Sequence, residues 1–336
     1  SRAFQEPAQR WNDPVHLWFA SARAQGEPPP FLSARLPWAG MYFMRSGWDE
    51  RALYLALDAG PVGLDHFHED YGNFECYAFG ERLITDGGVY GYTLSKWQEY
   101  CCSSLAHNVV LVDGLSQARV AFPNDHPWEA RQPRSDDWHS DEVFDLTWSF
   151  LDAKWTPHSE WKYWVTYFGK NSAVDLATHR RDVCFVRNSY WIISDRLVGE
   201  GEHIYEQLFH LRPERSARVL SDRSAGSTDA DRPNVVLIQA DPTPAEVVVG
   251  REDPPQGWVA VGAGKVAPAP CIVFTQRATG GAIFDTVILP LDVNQQAEMT
   301  VTRLPVTDAD GNELPPAEVC ALRLETPAGV DLYLND

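Results

Sequence analysis

The sequence predicts an all-β fold, a large antiparallel β-sandwich preceded by a short α-helical segment. Short runs rich in Val, Ile, Tyr, Phe and Trp recur along most of the chain, and turn residues separate them. No strong amphipathic helix alternates with these runs, so βαβ units and a parallel sheet are not expected. Antiparallel strands packed into large sheets therefore account best for the pattern.

Composition and charge narrow the class of protein. The chain has 336 residues, 44% hydrophobic and 22% charged, so a packed core is expected and extensive disorder is excluded. With 28 basic and 47 acidic residues, the formal net charge is −19 at pH 7. Nucleic acids and anionic membranes bind basic surfaces, so we expect neither as a partner. No apolar run reaches the ~20 residues of a membrane-spanning helix.

The first 38 residues differ from the rest of the chain. Asp13 can cap a helix, Pro14 suits its first turn, and Gly26 followed by three prolines ends it, so a helix is predicted over about residues 14–25. We therefore divide the chain into a helical segment with a proline-rich linker, residues 1–38, and a β-sandwich domain, residues 39–336. The helix is expected to pack on the sandwich or to end a preceding helical domain.

Strands are expected from residue 41 onward. The predicted strands are 41–46, 52–58, 74–78, 109–112, 143–149, 161–167, 190–195, 204–211, 235–239, 246–249, 271–276, 283–289 and 299–304. Two polar stretches, 114–142 and 212–234, are predicted as long loops. The six cysteines include no C-x-x-C pair, so buried, reduced thiols are expected rather than a zinc ribbon or a disulfide framework.

A set of histidines and an aspartate in residues 63–114 suggests a metal site. His66 and His68 form an H-x-H pair, and alternate side chains of an extended strand share a face. Asp86 stands directly before two glycines, and His107 opens the next apolar run. Imidazole and carboxylate groups suit a borderline metal such as zinc. Each residue also has an ordinary explanation, because strand histidines often serve packing and an aspartate before Gly-Gly often only makes a turn.

The same region resembles the C-terminal β-sandwich domain of the heparinase II/III-like polysaccharide lyases, a group that also contains alginate lyases. The matching stretches are MRSGWDERALYLALDAG, HFHEDYGNFECYAFGERLITDGG, AHNVVLVDG, YWIISDRLVGEGEHIYEQLFHL and PAPCIVFTQ. The most specific part is the ordered set of H-x-H-x-D, Asp before Gly, and Ala-His-Asn. The resemblance extends over roughly residues 38–289 and implies a supersandwich-like fold.

The resemblance implies a bound divalent metal, usually zinc, with His68, Asp86 and His107 as ligands and Asp70 orienting a histidine. It also implies that His66 faces the substrate. These lyases cleave uronic-acid polysaccharides by β-elimination, in which a base removes the C5 proton and an acid protonates the leaving O4. The implied partners are therefore an acidic polysaccharide or oligosaccharide and an N-terminal α/α-toroid domain, of which residues 14–25 would be the final helix.

Six further residues are candidates for contact with the substrate. Tyr90 and Tyr92 follow the Asp86 turn and are candidate catalytic residues, although strand packing explains them more readily. Lys96 is a candidate for binding the anionic substrate, with Arg119 as a second basic residue nearby. Trp128, in the long loop, is a candidate for stacking on a sugar ring, like Trp138 farther along; exposed loop tryptophans can equally pack against the sandwich.

The sequence departs from the family pattern at two places. Gly87, Gly88, Val89 and Tyr90 follow Asp86 where the family often has Pro-Gly-Arg-Tyr, so Val89 replaces the arginine, and Cys102 stands where the family often has Arg. Two partners for an anionic substrate are therefore missing, which, together with the net charge of −19, argues against a highly sulfated substrate.

Two other functions fit part of the pattern. H-x-H on a β-scaffold also marks cupin-type metal oxygenases, but Glu69 lies too near to the histidines and Glu75 too far for the cupin spacing. A non-catalytic carbohydrate-binding module with a structural metal stays open. The sequence also leaves open a homodimer and a periplasmic, secreted or cytoplasmic location.

Overall fold

The computed structural model describes residues 2–37, 39–60, 68–93, 95–117, 137–151, 155–156 and 176–335. The helices are α1 (Arg2–Trp11), α2 (Pro14–Ala20) and α3 (Lys96–Cys102), with a 3-10 turn at Ser104–Ala106. The first strands are β1 (Ala34–Leu36), β2 (Met41–Arg45), β3 (Tyr54–Asp58), β4 (Asn73–Ala78), β5 (Glu81–Ile84), β6 (Val110–Val112), β7 (Ser116–Gln117), β8 (Asp137–Ser140), β9 (Phe144–Leu151), β10 (Trp155–Thr156), β11 (Ala177–Val186), β12 (Tyr190–His210) and β13 (Ala217–Val219). The remaining strands are β14 (Ser224–Ser227), β15 (Asn234–Gln239), β16 (Ala245–Val249), β17 (Arg251–Glu252), β18 (Pro255–Gln256), β19 (Trp258–Gly262), β20 (Lys265–Pro268), β21 (Pro270–Leu291), β22 (Thr300–Arg303), β23 (Val306–Thr307), β24 (Glu313–Leu314), β25 (Cys320–Thr326) and β26 (Gly329–Asn335).

The strands form antiparallel sheets, as the sequence predicts. Strands β1 to β5 follow one another in a five-stranded sheet. A ten-stranded sheet has the order β13-β14-β15-β21-β12-β11-β9-β8, with β16 paired to β21 and β6 paired to β12. A three-stranded sheet has the order β22-β25-β26. The all-β antiparallel sandwich is therefore confirmed.

Two long strands, β12 and β21, form the middle of the large sheet. They contain 21 and 22 residues and pair along most of their length. Their register shifts between Val198 and Glu202, where Gly201 and Gly281 adopt φ values of +84° and +135°. Glycine tolerates such angles without a Cβ clash, so the ladder bends here without ending. Each half of the pair can then meet different neighbours: β6 and β16 on one side of the bend, β11 and β15 on the other.

The large sheet lies between two apolar cores. Along β11 and β12, Phe185 and Trp191 face the five-stranded sheet and pack in one cluster with Leu55 and Leu57. Their chain neighbours alternate to the opposite face, where Cys184, Tyr190 and Ile192 pack against Leu322 and Leu324 of the three-stranded sheet. Because both faces are covered, these strands are apolar without the simple alternation of a half-exposed strand. A smaller cluster holds α3 against the sheet.

The N-terminal helices differ in part from the prediction. The side chain of Asp13 caps α2 by accepting hydrogen bonds from the main-chain N–H groups of Val15 (2.8 Å) and His16 (3.2 Å). Helix α2 ends at Ala20, earlier than the predicted residue 25, and α1 precedes it where no helix was predicted. Trp18 packs edge-on against Trp48 at 6.0 Å between ring centroids, so the segment lies on the sandwich. The division at residue 38 stays a prediction.

Most predicted strands occur within a residue or two of their expected bounds. The exceptions are informative: 190–195 and 204–211 belong to one strand, as do 271–276 and 283–289, while 161–167 lies outside the described residues. Both predicted long loops contain strands, β7 and β8 in one and β13 and β14 in the other.

All six cysteines are buried and free, as the sequence indicates. Within the described ranges, no helix has the length and apolar character that a membrane crossing requires.

Candidate metal centre

The candidate site lies at one end of the five-stranded sheet, where chain segments distant in sequence meet. Strand β3 ends at Asp58, which pairs with Asn73 at the start of β4. Asp86 follows the end of β5, and His107 directly follows the 3-10 turn Ser104–Ala106. His68 lies in the irregular segment 68–72 that leads into β4, rather than in a strand.

Two histidines and an aspartate from these segments form a compact cluster. His68, Asp70 and His107 each offer one ligand atom, and these three atoms lie within 4.8 Å of one another. The rings of His68 and His107 are 5.1 Å apart between centroids, and His107 is fully buried. The predicted convergence of His68 and His107 is thus present in the structure.

Asp86 joins this cluster through His107. Its Oδ2 lies 2.6 Å from Nδ1 of His107 and also accepts a hydrogen bond from Nδ2 of Asn73 at 2.8 Å. Its Oδ1 accepts from the main-chain N–H of Gly88 at 2.6 Å. The other ring nitrogen of His107, Nε2, is buried and has no hydrogen-bond partner among the described residues. A buried nitrogen in this condition is free to bind a cation.

The electrostatics of the site favour added positive charge. Although burial opposes ionisation, the imidazole of His107 holds the pKa of Asp86 well below its usual range. Burial alone would lower the pKa of His107, but the carboxylate of Asp86 raises it. Burial and then the carboxylate of Asp70 raise the pKa of Asp58 from 3.8 to about 6. The carboxylates of Asp58, Asp70 and Asp86 therefore interact across one small region, which a bound cation would relieve.

Asn108, the last residue of the Ala-His-Asn motif, fixes the position of His107. Its Nδ2 donates to the carbonyls of Phe74 (2.7 Å) and Thr85 (2.9 Å), and its Oδ1 accepts from the main-chain N–H of His210 (2.7 Å). Its own main-chain N–H donates to Oδ1 of Asn73 at 2.9 Å. One buried amide thus joins β4, the end of β5 and β12 beside the cluster.

The segment that carries His68 is also held by hydrogen bonds. The main-chain N–H of Glu69 donates to the carbonyl of Cys102 at 2.8 Å, and Oγ of Ser104 donates to the carbonyl of Glu69 at 2.5 Å. The main-chain N–H of Tyr71 donates to Oε1 of Gln117 at 2.8 Å. These bonds tie residues 69–71 to the 3-10 turn and to β7, so the irregular segment has a fixed course.

The Gly-Gly turn after Asp86 brings the backbone into close contact with the 3-10 turn. A Cβ at Gly87 would lie 2.4 Å from the main-chain oxygen of Ala106 and 2.7 Å from its Cβ. Gly88 adopts φ +75°. The carbonyl of Gly87 accepts from the N–H of Ala260 at 2.8 Å, so β19 lies against the other side of the turn. Both glycines are therefore needed to place Asp86 beside His107.

The structure places the other candidate residues outside the histidine–aspartate cluster or does not describe them. Tyr90 packs with the cluster around α3, and Tyr92 is 77% exposed. Nζ of Lys96 lies 3.1 Å from Oε2 of Glu252, so its charge is already paired. Trp138 packs on the main core, 5.8 Å between ring centroids from Tyr42. The residues that lie outside the described part of the chain are His66, Arg119 and Trp128.

The structure adds residues that sequence reasoning did not assign to the site. Asn73 and Asn108 orient Asp86 and His107, and Asp58 adds a third carboxylate. Asn108 could have been found from its place in the Ala-His-Asn motif, whereas nothing in the sequence near Asp58 distinguishes it. The geometry also places Asp70 inside the ligand cluster and Asp86 against His107, so both carboxylates are candidates for the third ligand.

Comparison with known proteins finds a family match over most of the chain. The family model described as heparinase II/III-like, C-terminal, matches residues 28–300, most of the chain. The chain is 28% identical over 187 residues to a heparin-sulfate lyase of Pedobacter heparinus, in an alignment that covers 54% of this chain and 24% of that protein. It is 26% identical over 189 residues to a heparin-sulfate lyase of Bacteroides stercoris, covering 54% and 23%.

Solved structures show the same fold. The heparan sulfate lyase HepC from Pedobacter heparinus superposes with a TM-score of 0.77 at 21% identity, covering 99% of this chain and 47% of that one. A heparinase III structure gives a TM-score of 0.71 at 15% identity, covering 98% and 47%. The chain thus spans about half the length of these structural relatives.

We predict that Gly87→Ala displaces the 3-10 turn that carries His107. The added methyl group meets backbone rather than a flexible side chain, so the variant should lose about 1–3 kcal/mol of unfolding free energy. Chemical denaturation in the presence of chelator measures the loss. Gly311→Ala is the control, since its φ of +86° is strained but no atom lies within 4 Å of the new Cβ. A loss no larger than that of Gly311→Ala would contradict the need for glycine at position 87.

We predict that Asp58 makes the metal-free protein less stable as pH rises. The folded state holds the Asp58 proton with a pKa of about 6 against an ordinary 3.8, so this contribution to stability is present below pH 3.8 and is lost as pH rises through 6. The loss is on the order of 2–3 kcal/mol. Asp58→Asn should therefore stabilise the chelator-treated protein near neutral pH and have little effect in acid. Denaturation curves measured across this pH range give the free energy of unfolding of both proteins. If this free energy changes with pH in parallel for the wild type and Asp58→Asn, the assignment is refuted.

Proposed function

The chain belongs to the heparinase II/III-like, C-terminal, family, and on this premise we propose that it is the β-sandwich part of a polysaccharide lyase. The proposed reaction is β-elimination on a uronic-acid-containing polysaccharide. The observation that carries the proposal is the convergence of His68, His107 and two aspartates at the end of the five-stranded sheet. The complete active site would include an N-terminal α/α-toroid domain, as the sequence resemblance implies.

We propose that the cluster binds one divalent cation, zinc by its donor set. Two imidazoles and a carboxylate are a common protein ligand set for zinc, with one position left for water or substrate. The buried, unpartnered Nε2 of His107 and the accumulated carboxylate charge both fit such an ion. When bound, the cation would supply positive charge beside the substrate and hold His68, two residues from His66, in place.

The third ligand is an aspartate, and the chain offers two. If the cation takes the place of the proton between His107 and Asp86, then Asp86 is the ligand, as the resemblance implies, and Asp70 orients a histidine. If the cation binds Nε2 of His107, Asp70 completes the set and Asp86 holds the ring from Nδ1, a common arrangement at zinc sites. Replacement of the aspartate that binds the cation should abolish stoichiometric zinc binding. Replacement of the aspartate that only orients a histidine should weaken zinc affinity by about 10–100-fold.

The chemistry that the residues must perform follows from the substrate. The proton on C5 of a uronate is weakly acidic, so its removal needs a positioned base and neutralisation of the adjacent carboxylate. The electron pair of the C5–H bond forms the C4–C5 double bond, the C4–O4 bond breaks, and an acid delivers a proton to O4. We assign proton transfer or carboxylate recognition to His66, and we retain Tyr90 and Tyr92 as candidate proton donors or acceptors.

Substrate contacts are assigned on charge and aromatic character. Lys96 would contact the anionic chain after exchange of its exposed ion pair with Glu252, which costs little in water. Trp128 would stack on a sugar ring. The net charge of −19 favours a uronate polymer with little sulfation, as does the presence of Val89 and Cys102 where the family often has arginine.

The test of the proposed reaction is an assay of the full-length protein on heparan sulfate, alginate and chondroitin. We expect ultraviolet absorbance from unsaturated uronate ends to rise on at least one polymer. Binding of a polymer without any rise would instead identify a non-catalytic carbohydrate-binding module with a structural metal.

We predict that His68→Ala loses the metal and lowers the melting temperature. A cation that binds only the folded state adds to its stability, so a variant that cannot hold it melts earlier. Metal analysis of purified protein and thermal scans with and without chelator check this. His16→Ala, a histidine on α2, is the matched control. A His68→Ala variant that retains wild-type metal content and melting temperature would contradict the site.

We predict that His66→Ala keeps the metal but impairs turnover of the full enzyme, because we assign His66 to the substrate and not to the cation. Metal content and the elimination rate are measured on the same preparation. Loss of metal would move His66 into the ligand set, and unchanged turnover would remove it from the mechanism.

A further inference from the structure

Arg181, on β11, contacts both chain segments that carry the candidate imidazole ligands. Its Nη1 donates to the main-chain carbonyl of Gly72 and to that of Asn108, each at 2.6 Å. Gly72 is the last residue of segment 68–72, which carries His68 and Asp70, and Asn108 directly follows His107. The Arg181 side chain is 1% exposed, so these bonds lie in a dry interior.

The guanidinium of Arg181 is held in one orientation by the large sheet. Nε and Nη2 donate to Oδ1 and Oδ2 of Asp195, both at 2.7 Å, and the two residues are direct partners in the β11–β12 ladder. Asp195 is fixed in turn by His179 and Gln207, whose Nε2 atoms lie 2.8 Å from its two oxygens. A planar, bidentate pair of this kind leaves the remaining donors at fixed positions.

We propose that Arg181 is a positioning residue that sets the separation of the His68 and His107 segments and so preorganises the cation site. The inference rests on the proposed function, because it presumes that the cluster binds a divalent cation. Ligand geometry at such a site tolerates only small displacements, and residues that support ligands typically change affinity by about 10–100-fold. Arg181 acts through main-chain carbonyls, so it contacts neither the cation nor the substrate.

A neighbouring ion pair gives a matched control. Asp182 follows Arg181 on β11, and Arg196 follows Asp195 on β12. Successive side chains of a strand alternate in direction, so Asp182 and Arg196 face the opposite side of the sheet. Nη1 of Arg196 donates to Oδ2 of Asp182 at 2.8 Å, and Asn335 of β26 donates to the same oxygen at 2.6 Å. Arg196 is 5% exposed, so the two arginines are similarly buried but only Arg181 faces the site.

The test compares Arg181→Met, Arg181→Lys and Arg196→Met in the intact chain. Zinc dissociation constants come from competition with a chromophoric chelator, and melting temperatures are measured on chelator-treated protein. We expect Arg181→Met to weaken zinc binding by about 10–100-fold. Arg181→Lys should be intermediate, because an ammonium group lacks the planar fork that serves Asp195 and both carbonyls together. Arg196→Met should lower the melting temperature but change zinc affinity less than about threefold.

Each outcome decides the proposal. Wild-type zinc affinity in Arg181→Met, or an equal loss in Arg196→Met, would overturn it and leave the proposed cation site intact. If Arg181→Met does not fold, unchanged zinc affinity in Arg181→Lys overturns it and weakened affinity supports it. A wild-type chain that binds no zinc would refute the cation site itself, and the positioning role with it.

Discussion

The hydrogen bonds of the buried Asn108 side chain are the constraint on which the candidate site depends. They join β4, the end of β5 and β12 at one point, and no water is needed to satisfy the groups involved. An amide paired on both sides in a dry interior resists displacement, because any shift leaves a main-chain group unpaired. His107 precedes this residue in the chain, so its ring is held against Asp86, while its second nitrogen is buried without a hydrogen-bond partner among the described residues.

The two faces of the large sheet pack against different sheets and carry different buried ion pairs. One face packs against the five-stranded sheet and presents Arg181 to the ligand segments, and the other packs against the C-terminal sheet and uses Arg196 and Asp182. The long strands β12 and β21 make this possible, since one continuous ladder spans both the packed body and the region beside the site. The position of the candidate centre thus follows from how the layers pack, and its charge follows from the carboxylates gathered there.

The fold class and the two imidazoles of the cluster could be predicted from the sequence because their signals are local. Apolar runs mark strands, and the Ala-His-Asn and Asp-Gly-Gly patterns mark His107 and Asp86. Strand β11 escaped prediction because Arg181 and Asp182 resemble surface charges, and only their cross-strand pairing with Asp195 and Arg196 allows them to be buried. The long strands were predicted as halves because glycines at the bend resemble a turn. The contacts of Asp58 and Arg181 with the site are set by tertiary packing, which one sequence does not display.

We propose that one cation is held between His68 and His107. Anomalous diffraction at the zinc edge, from crystals of the zinc-loaded protein, would locate this cation. We expect one peak at about 2.0–2.1 Å from a ring nitrogen of each histidine and at about 2.0–2.2 Å from an aspartate oxygen. A well-ordered cluster with no peak, or a zinc ion bound only elsewhere on the chain, would contradict this assignment.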